Sequence, residues 1–89
     1  MPELNRQLAQ ARQHLDRATA AIRAAEEELA KAEALIRMTL RGTADQSLPA
    51  LVAHNRQQLT TIAQGNAESI RKTDEWTARI NGTAGPGKP

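Results

Sequence analysis

An uninterrupted apolar repeat of seven residues constrains this chain more than any other feature. From Leu8 to Ile36, a large aliphatic side chain recurs at every seventh position. A second line of residues, mostly alanine, lies three positions further along, so the spacing alternates between three and four. This spacing keeps one stripe of a helix against a partner helix. The two lines are Leu8, Leu15, Ile22, Leu29 and Ile36, and Leu4, Ala11, Ala18, Ala25, Ala32 and Thr39.

This repeat predicts a first helix over residues 4–41, about 57 Å long at 1.5 Å per residue. The stretch contains no Gly or Pro and is rich in Ala, Leu, Glu, Gln and Arg, which are strong helix formers. Gly42 follows it directly, and glycine is the commonest left-handed stop after a helix. The first helix is therefore expected to end at this glycine.

A short connection, residues 42–47, leads into a second helix predicted over 48–80. Ser47 and Asp45 are both suitable N-caps, and Pro49 fits the first turn because its missing N–H would have no helical partner there. A connection this short between two long helices implies that they are antiparallel neighbours. The predicted fold class is thus all-α, a two-helix antiparallel coiled-coil hairpin.

The chain has few large side chains with which to build a core. Of its 89 residues none is Phe or Tyr and one is Trp. Two long helices also bury less area than a globule of the same length. We therefore expect one domain, residues 1–81, whose core is completed by self-association into a four-helix bundle. Residues 82–89, rich in Gly and Pro, are predicted to be a disordered tail.

The repeat is less regular in the second helix. Its predicted contact positions are Leu48, Val52, Asn55, Leu59, Ile62, Asn66, Ser69, Thr73, Trp76 and Ile80. Four of the ten are polar, namely Asn55, Asn66, Ser69 and Thr73. Either they are buried and fix the register of the helices, or they face water because the inner face is narrow, and both interpretations stay open. Ile70 lies one position off this line, and Gly65 costs the helix up to ~1 kcal/mol relative to Ala.

Two registers of the hairpin place large residues of one helix against small residues of the other. The first pairs Leu15 with Trp76, Leu29 with Ile62, Ala32 with Leu59 and Ala11 with Ile80. The second, shifted by one heptad, pairs Leu8 with Trp76, Ile22 with Ile62 and Ala25 with Leu59. We prefer the first, because it leaves the helix ends level across a short turn and sets small side chains against large ones.

Trp76 is the only aromatic residue, and it admits two interpretations. A lone Trp on a helix is a typical anchor for a protein partner. The alternative, which we favour, is a plug that closes the open end of the hairpin near Leu15 and Ala11, because a large aromatic side chain tends to be buried.

The residues that carry enzyme or metal chemistry are sparse and poorly spaced. His14 and His54 have no His or carboxylate three or four residues further on, as a helical metal site requires. The acidic run Glu26–Glu28 pairs with Lys31 along the helix and is expected to face solvent. Cysteine is absent, which excludes disulfides and thiolate metal sites. We expect no metal, no cofactor and no enzymatic activity.

These observations favour a non-enzymatic protein–protein interaction module, a small adaptor or accessory subunit that acts through its helix faces. The partner would be a second copy of the chain or a larger protein. The side chains expected to carry the interaction are the large apolar ones of the repeat: Leu8, Leu15, Ile22, Leu29, Ile36, Leu59, Ile62 and Trp76.

An alternative is binding to nucleic acid or another anionic surface through basic residues that the hairpin brings to its open end. The candidates are Arg12, Arg71, Lys72 and Arg79. The net charge is only +2, and acidic residues are interspersed among the basic ones. Apart from Trp76, no aromatic side chain is present on which a base could stack. The pattern therefore favours protein binding over nucleic-acid binding.

The cellular location follows from what the sequence lacks. No apolar run approaches the ~20 residues of a membrane span. The N-terminal Met-Pro-Glu-Leu shows no basic and apolar signal-peptide pattern. A cytoplasmic location is expected, and secretion without a cleaved signal stays open. The abundance of Ala and Arg is typical of a bacterium with GC-rich DNA.

Taken together, the hairpin of about 90 residues, the Gly at its turn and the Gly- and Pro-rich end resemble small helical-hairpin proteins of actinobacteria. Among these are the Trp-x-Gly substrates and chaperone-like partners of type VII secretion. Their turn signature corresponds here to Leu40-Arg41-Gly42, of which Gly42 matches. Their export signal, a Tyr followed four positions on by an acid, corresponds here to Trp76 followed by Ile80. The resemblance implies a helical interaction partner in a secretion system.

Overall fold

The computed structural model describes residues 2–81 and consists of two long helices. Helix α1 spans Pro2–Thr39 and helix α2 spans Ser47–Asn81. They pack against each other in opposite directions, since Arg12 near the start of α1 contacts Asp74 near the end of α2. The predicted all-α hairpin is confirmed. Helix α1 begins and ends two residues earlier than expected, and the tail predicted at 82–89 lies outside the described residues.

Gly42 ends the first helix as expected, with a φ of +88° that side-chain-bearing residues rarely adopt. The amide of Leu40 still bonds to the carbonyl of Ile36 at 2.9 Å. Beyond it, the amide of Thr43 bonds to the carbonyl of Leu40 at 3.0 Å, which closes the turn. The chain therefore reverses within a few residues and starts α2 beside the end of α1.

At the start of α2, the side chain of Asp45 is the capping group. Its Oδ1 accepts hydrogen bonds from the backbone N–H of Ser47 at 2.9 Å and from the Ser47 hydroxyl at 2.7 Å. These two hydrogen bonds, the hydroxyl's first, lower the pKa of the Asp45 carboxyl. The amide of Ala50 bonds to the carbonyl of Gln46 at 3.0 Å and begins the helical pattern. Of the two suggested caps, Asp45 supplies the acceptor and Ser47 the donors.

The main apolar line of α1 faces α2, as predicted. Its five members are all half-buried, and opposite them lies an equally spaced line on α2. We call these two lines the seam: Leu8, Leu15, Ile22, Leu29 and Ile36 with Val52, Leu59, Asn66, Thr73 and Ile80. Val52, 8% exposed, is buried together with Pro49, and no side chain in the described part of the chain is fully buried.

The second contact line predicted for α2 is wrong. Leu48, Asn55, Ile62, Ser69 and Trp76 are all exposed. The line that accompanies the seam instead lies one residue further along: Pro49, Arg56, Ala63, Ile70 and Thr77. This rotation of α2 brings Arg56 to Glu33 and Asp74 to Arg12, so ion pairs between the helices accompany the apolar contact.

On α1, likewise, a second line that the prediction omitted contacts α2. Each member lies four residues after a position of the seven-residue repeat that forms the seam. All are at least half-buried: Asn5, Arg12, Thr19, Glu26, Glu33 and Leu40. In the predicted alanine line, Ala18, Ala25 and Ala32 are half-buried, whereas Leu4, Ala11 and Thr39 are exposed. The alanine line thus borders the contact and does not fill it.

The offset of the two helices lies between the two predicted registers. Thr19 is level with Asn66, which donates a hydrogen bond to its hydroxyl, and Arg12 is level with Asp74. Both predicted registers placed Trp76 and Ile62 against α1 within the hairpin, and this is wrong because the two side chains are 53% and 54% exposed.

The hairpin is a single layer. Its extents are 63 × 22 × 13 Å, and the smallest is close to the ~10–12 Å diameter of one helix with its side chains. Each helix therefore has only one neighbour against which to bury a stripe. This geometry explains why the seam is half-buried along its length and why large apolar side chains remain exposed beside it.

Candidate protein-interaction surface

The seam divides the hairpin into two sides of different chemistry. We call the side that carries Arg12, Thr19 and Glu33 the polar side, because its groups join the helices by ion pairs and hydrogen bonds. Glu33 is its most buried member at 7% exposure. The Glu33 carboxylate accepts hydrogen bonds from Arg37 at 2.6 Å and from Arg56 of α2. A buried carboxylate is thus held by two guanidinium groups.

These guanidinium groups change the acidity of Glu33. Hydrogen bonds from Arg37 and then Arg56 hold the pKa of the Glu33 carboxyl below its ordinary value of 4.5, against the opposing effect of burial. The carboxylate is therefore charged throughout the neutral range. Its arrangement is that of a structural ion pair, since an acid catalyst needs a raised pKa.

Further along the polar side, an amide from α2 completes a small network in α1. The side chain of Asn66 donates to the Thr19 hydroxyl at 2.7 Å and to the Leu15 carbonyl at 3.2 Å. The Thr19 hydroxyl in turn donates to the same carbonyl at 3.1 Å. Of the four polar residues whose role was left open, Asn66 and Thr73 are half-buried, whereas Asn55 and Ser69 are exposed.

Two open grooves lie on this polar side between the helices. The larger, about 510 Å³, is lined by Glu26, Glu33, Ala53, Arg56, Gln57 and Thr60. The smaller, about 330 Å³, lies over the middle of the seam and is lined by Thr19, Ile22, Arg23, Glu26, Ala63, Asn66, Ala67 and Ile70. In the larger groove Glu33 and Arg56 already pair with each other, and Glu26 is the other charged residue in its lining.

The other side of the seam carries most of the exposed large apolar side chains, with polar ones such as Glu28, Asn55 and Ser69 between them. It carries the alanine line of α1, three residues after each seam residue, and the line of Leu48, Ile62 and Trp76 on α2. Both lines lie three residues after their seam residues, and this places them on the same side of the hairpin. The antiparallel helix reverses the direction in which its residues wind, but it also faces the opposite way, and the two reversals cancel. Leu35 and Leu51, each one residue before a seam residue, widen this side. We call it the apolar face: Leu4, Ala11, Ala18, Ala21, Ala25, Ala32, Leu35, Leu48, Leu51, Ile62 and Trp76.

The exposed large apolar side chains are concentrated on this face. Of those in residues 3–81, all but Met38 belong to it: Leu4, Leu35, Leu48, Leu51, Ile62 and Trp76. Single exposed apolar residues are ordinary on a soluble protein, but a concentration of large ones on one face is typical of an interaction site. The apolar face is therefore the candidate site of this chain.

Trp76 lies on the apolar face and does not plug the hairpin. Its indole ring is half exposed, and the guanidinium of Arg79 lies 4.8 Å from the ring centroid. A cation over the face of an indole is attracted by the ring quadrupole and keeps the side chain in place. The plug interpretation is wrong, and a role as anchor for a partner stays a prediction.

The structure separates the residues expected to carry the interaction into two groups. Leu8, Leu15, Ile22, Leu29, Ile36 and Leu59 are half-buried in the seam and hold the two helices of the hairpin together. Ile62 and Trp76 remain open to a partner on the apolar face. Leu35 and Leu51 were missed, because they lie outside the heptad lines on which the prediction relied. Their one-residue offset from Ile36 and Val52 is the signal that could have found them.

The basic residues considered for nucleic-acid binding are mostly engaged with carboxylates. Arg12 contacts Asp74 at 2.8 Å and Asp16 at 3.2 Å. Arg71 contacts Glu68 at 2.5 Å and also Glu75. These contacts, the hydrogen bond to Glu68 first, raise the pKa of Arg71, and the Arg71 hydrogen bond lowers the pKa of Glu68. Lys72 and Arg79 are exposed at the margin of the apolar face.

Two kinds of feature are absent from residues 2–81, a cluster of metal ligands and a membrane-spanning helix. Within residues 2–81, no three His, Asp or Glu side chains lie close enough together to hold a metal ion. Neither α1 nor α2 is apolar enough over a sufficient length to cross a membrane.

We expect Glu33→Gln to lower the melting temperature by a few degrees, because the amide cannot form the charge-assisted hydrogen bonds to Arg37 and Arg56. A lowered folded-state pKa stabilises the hairpin above the unfolded value of 4.5, and this stabilisation is lost as pH falls through the folded value. The parent and the variant should therefore converge in acid. Thermal melts from pH 7 to pH 2 measure this.

The matched control is Glu27→Gln, which removes an exposed carboxylate four residues before Lys31 on the outer side of α1. This variant should melt within a degree or so of the parent, because exposed pairs contribute little. Equal losses in the two variants at neutral pH would contradict a structural role for Glu33.

Comparisons with known protein families, with curated proteins and with solved structures found no match to this chain. The resemblance to Trp-x-Gly hairpins therefore stays a prediction.

Proposed function

We propose that this chain is a non-enzymatic protein-interaction module, an adaptor or accessory subunit whose apolar face packs against helices of a partner. The observation that carries the proposal is the location of the exposed large apolar residues, which cluster on one side of the seam. On the polar side, in contrast, Glu33 and Arg12 are paired with charges of the opposite sign across the seam. A partner that covers the apolar face would complete the half-built core.

The shape of the face supports a helical partner. The alanine line leaves a shallow channel along α1, and small side chains allow a second helix to approach closely. The large residues Ile62 and Trp76 stand beside this channel, two heptads apart on α2. Such spacing is typical of the anchors by which one helix engages another.

The alternative of binding to nucleic acid has less support. Arg12 and Arg71 would have to exchange their carboxylate partners for phosphates. Arg79 already lies over the ring of Trp76, so Lys72 would add only a single charge. A binder of this class would lose affinity steeply as salt is raised, whereas association through the apolar face would not.

In-cell photo-cross-linking tests the proposal. A photoactivatable side chain at Ile62 or Trp76 should form protein adducts, because these positions face the partner. The controls are the same side chain at Met38, which is equally exposed but lies off the face, and at Gln64 on the outer side of α2. Adducts of equal yield from all four positions, or from none, would overturn the proposal. Mass spectrometry of the adducts separates protein from nucleic acid.

A further inference from the structure

We propose that the partner covering the apolar face is a second copy of this chain, related by a two-fold axis parallel to the helices, with both turns at the same end. This inference rests on the proposed function and adds the identity and orientation of the partner. In this arrangement α1 of each copy lies over α2 of the other. All neighbouring helices in the resulting four-helix bundle are antiparallel.

Symmetry leaves no freedom to slide one copy along the other. A two-fold axis parallel to the helices keeps every residue at its own height, so residues that are level within a hairpin are also level across the interface. The heights within the hairpin are known from the contacts between Arg12 and Asp74 and between Thr19 and Asn66. The pairing across the interface therefore follows from the structure of one copy.

The pairs that result are complementary in size. Trp76 lies two residues beyond Asp74, so it comes to the height of Gln10 in the second copy, one residue from Ala11. Counted in the same way from Asp74, Ile62 comes to the height of Ala24, one residue from Ala25. Large side chains of α2 thus face the channel of small ones in the copy's α1, the interdigitation that dense packing requires.

At the end of the hairpin near the turn, the same symmetry brings two leucines of the face together. Leu35 comes to the height of Leu51 in the second copy, and Leu48 comes within one residue of the height of Thr39. In the middle, Ala21 comes to the height of Gly65, where a Cβ on the glycine would meet nothing within 4 Å in the single hairpin. The two copies can therefore approach closely at the middle of their helices and bury leucines near the turn.

The opposite orientation, with the turns at opposite ends, fits less well. It lays α1 on α1 and α2 on α2. Centred on the alanine line, it brings Leu35 to Gln7 and Leu51 to Arg79, so leucines of the face would lie against polar groups. The parallel two-fold arrangement is therefore favoured by the apolar pairing.

The area available is large enough for a stable dimer. The layer measures 63 by 22 Å in the plane of the face. A standard protein–protein interface takes about 800 Å² from each partner, so the face has room for one. Covering it would also give the seam a second layer, which the single hairpin lacks.

Sedimentation equilibrium over a range of concentrations tests self-association. The parent chain of 9.7 kDa should show twice this mass. Ile62→Glu should raise the dissociation constant at least about tenfold, because it puts a charge into the alanine channel of the second copy. The control, Met38→Glu, makes the same kind of change off the face and should dimerise like the parent. Circular dichroism checks that each variant remains helical.

Single cysteines test the orientation, since the chain has none of its own. Differently tagged chains carrying Ala21→Cys and Gly65→Cys should form a disulfide with each other when mixed, because a disulfide requires Cα atoms within about 7 Å. Neither should link efficiently to itself. Efficient self-linking of Ala21→Cys would show turns at opposite ends and overturn the proposed orientation. Ala20→Cys, on the outer side of α1, is the control for random collision.

The outcomes separate this inference from the proposed function. A chain that stays monomeric at all concentrations, yet forms adducts from Ile62 and Trp76 with other proteins in cells, would overturn the second copy as partner and leave the interaction module standing. A monomer without such adducts would overturn both. A dimer that Ile62→Glu and Met38→Glu weaken equally would overturn the apolar face as its interface.

Discussion

Ile22→Asp is expected to destabilise the hairpin by about 3 kcal/mol or more, enough to lose most of its helicity at neutral pH. Ile22 is half-buried at the middle of the seam, in the groove also lined by Ala63, Asn66 and Ile70. A carboxylate there must either give up its hydration or part the helices. Because a single layer of two helices starts from a small stability, it has little reserve with which to tolerate this loss.

Circular dichroism at 222 nm with thermal melts measures this effect. The matched control is Ala24→Asp, which introduces the same side chain two residues further on, at an exposed position on the outer side of α1. The control should lower the free energy of unfolding only by the difference in helix propensity between Ala and Asp, about 0.5 kcal/mol. Helicity and melting temperature that fall equally in both variants would show that the seam does not hold the hairpin together.

The second large effect is expected from Asn66→Asp, a change that preserves shape and removes a donor. The Asn66 amide donates hydrogen bonds to the Leu15 carbonyl and the Thr19 hydroxyl. A carboxylate cannot donate to that carbonyl and would lie against its oxygen. Leaving a half-buried acceptor opposed by a negative charge should cost about 1–3 kcal/mol at neutral pH.

The pH dependence distinguishes this cause from a general loss of packing. Repulsion from the Leu15 carbonyl raises the folded-state pKa of the introduced carboxyl above about 3.9. The variant's loss of stability is then complete above the raised folded-state pKa and disappears below the unfolded-state pKa. We expect urea midpoints of the variant to approach those of the parent at pH 3. Gln64→Glu, on the outer side of α2, should match the parent throughout, and a constant deficit for Asn66→Asp would contradict the hydrogen-bond explanation.

Local signals in the sequence were enough to predict the elements of the fold. The seven-residue line from Leu8 to Ile36 predicts α1 because a helix must place those residues on one stripe. Gly42 predicts its end because few other residues adopt a positive φ, and the value of +88° agrees. Each of these signals belongs to a single segment of the chain, so neither depends on the partner helix.

The candidate site could be predicted only in part. Trp76 and Ile62 were identified as interaction residues, but they were placed inside the hairpin, and the leucines Leu35 and Leu51 beside the seam were missed. Which residues remain exposed depends on how far each helix is rotated about its axis. A difference of one residue on α2 turns Ile70 inward and leaves Ile62 outward.

The heptad pattern alone therefore determined that two helices form and which stripe of α1 faces inward, because helix periodicity is a property of each segment. The tertiary structure decided on which side of the seam the flanking residues of the two helices contact each other. Residues three and four positions after a seam residue flank it equally, so periodicity does not choose between them. The choice depends on pairs far apart in the chain, Glu33 with Arg56 and Arg12 with Asp74, which meet only once the hairpin has formed. These pairs draw the polar side together and leave the apolar face open.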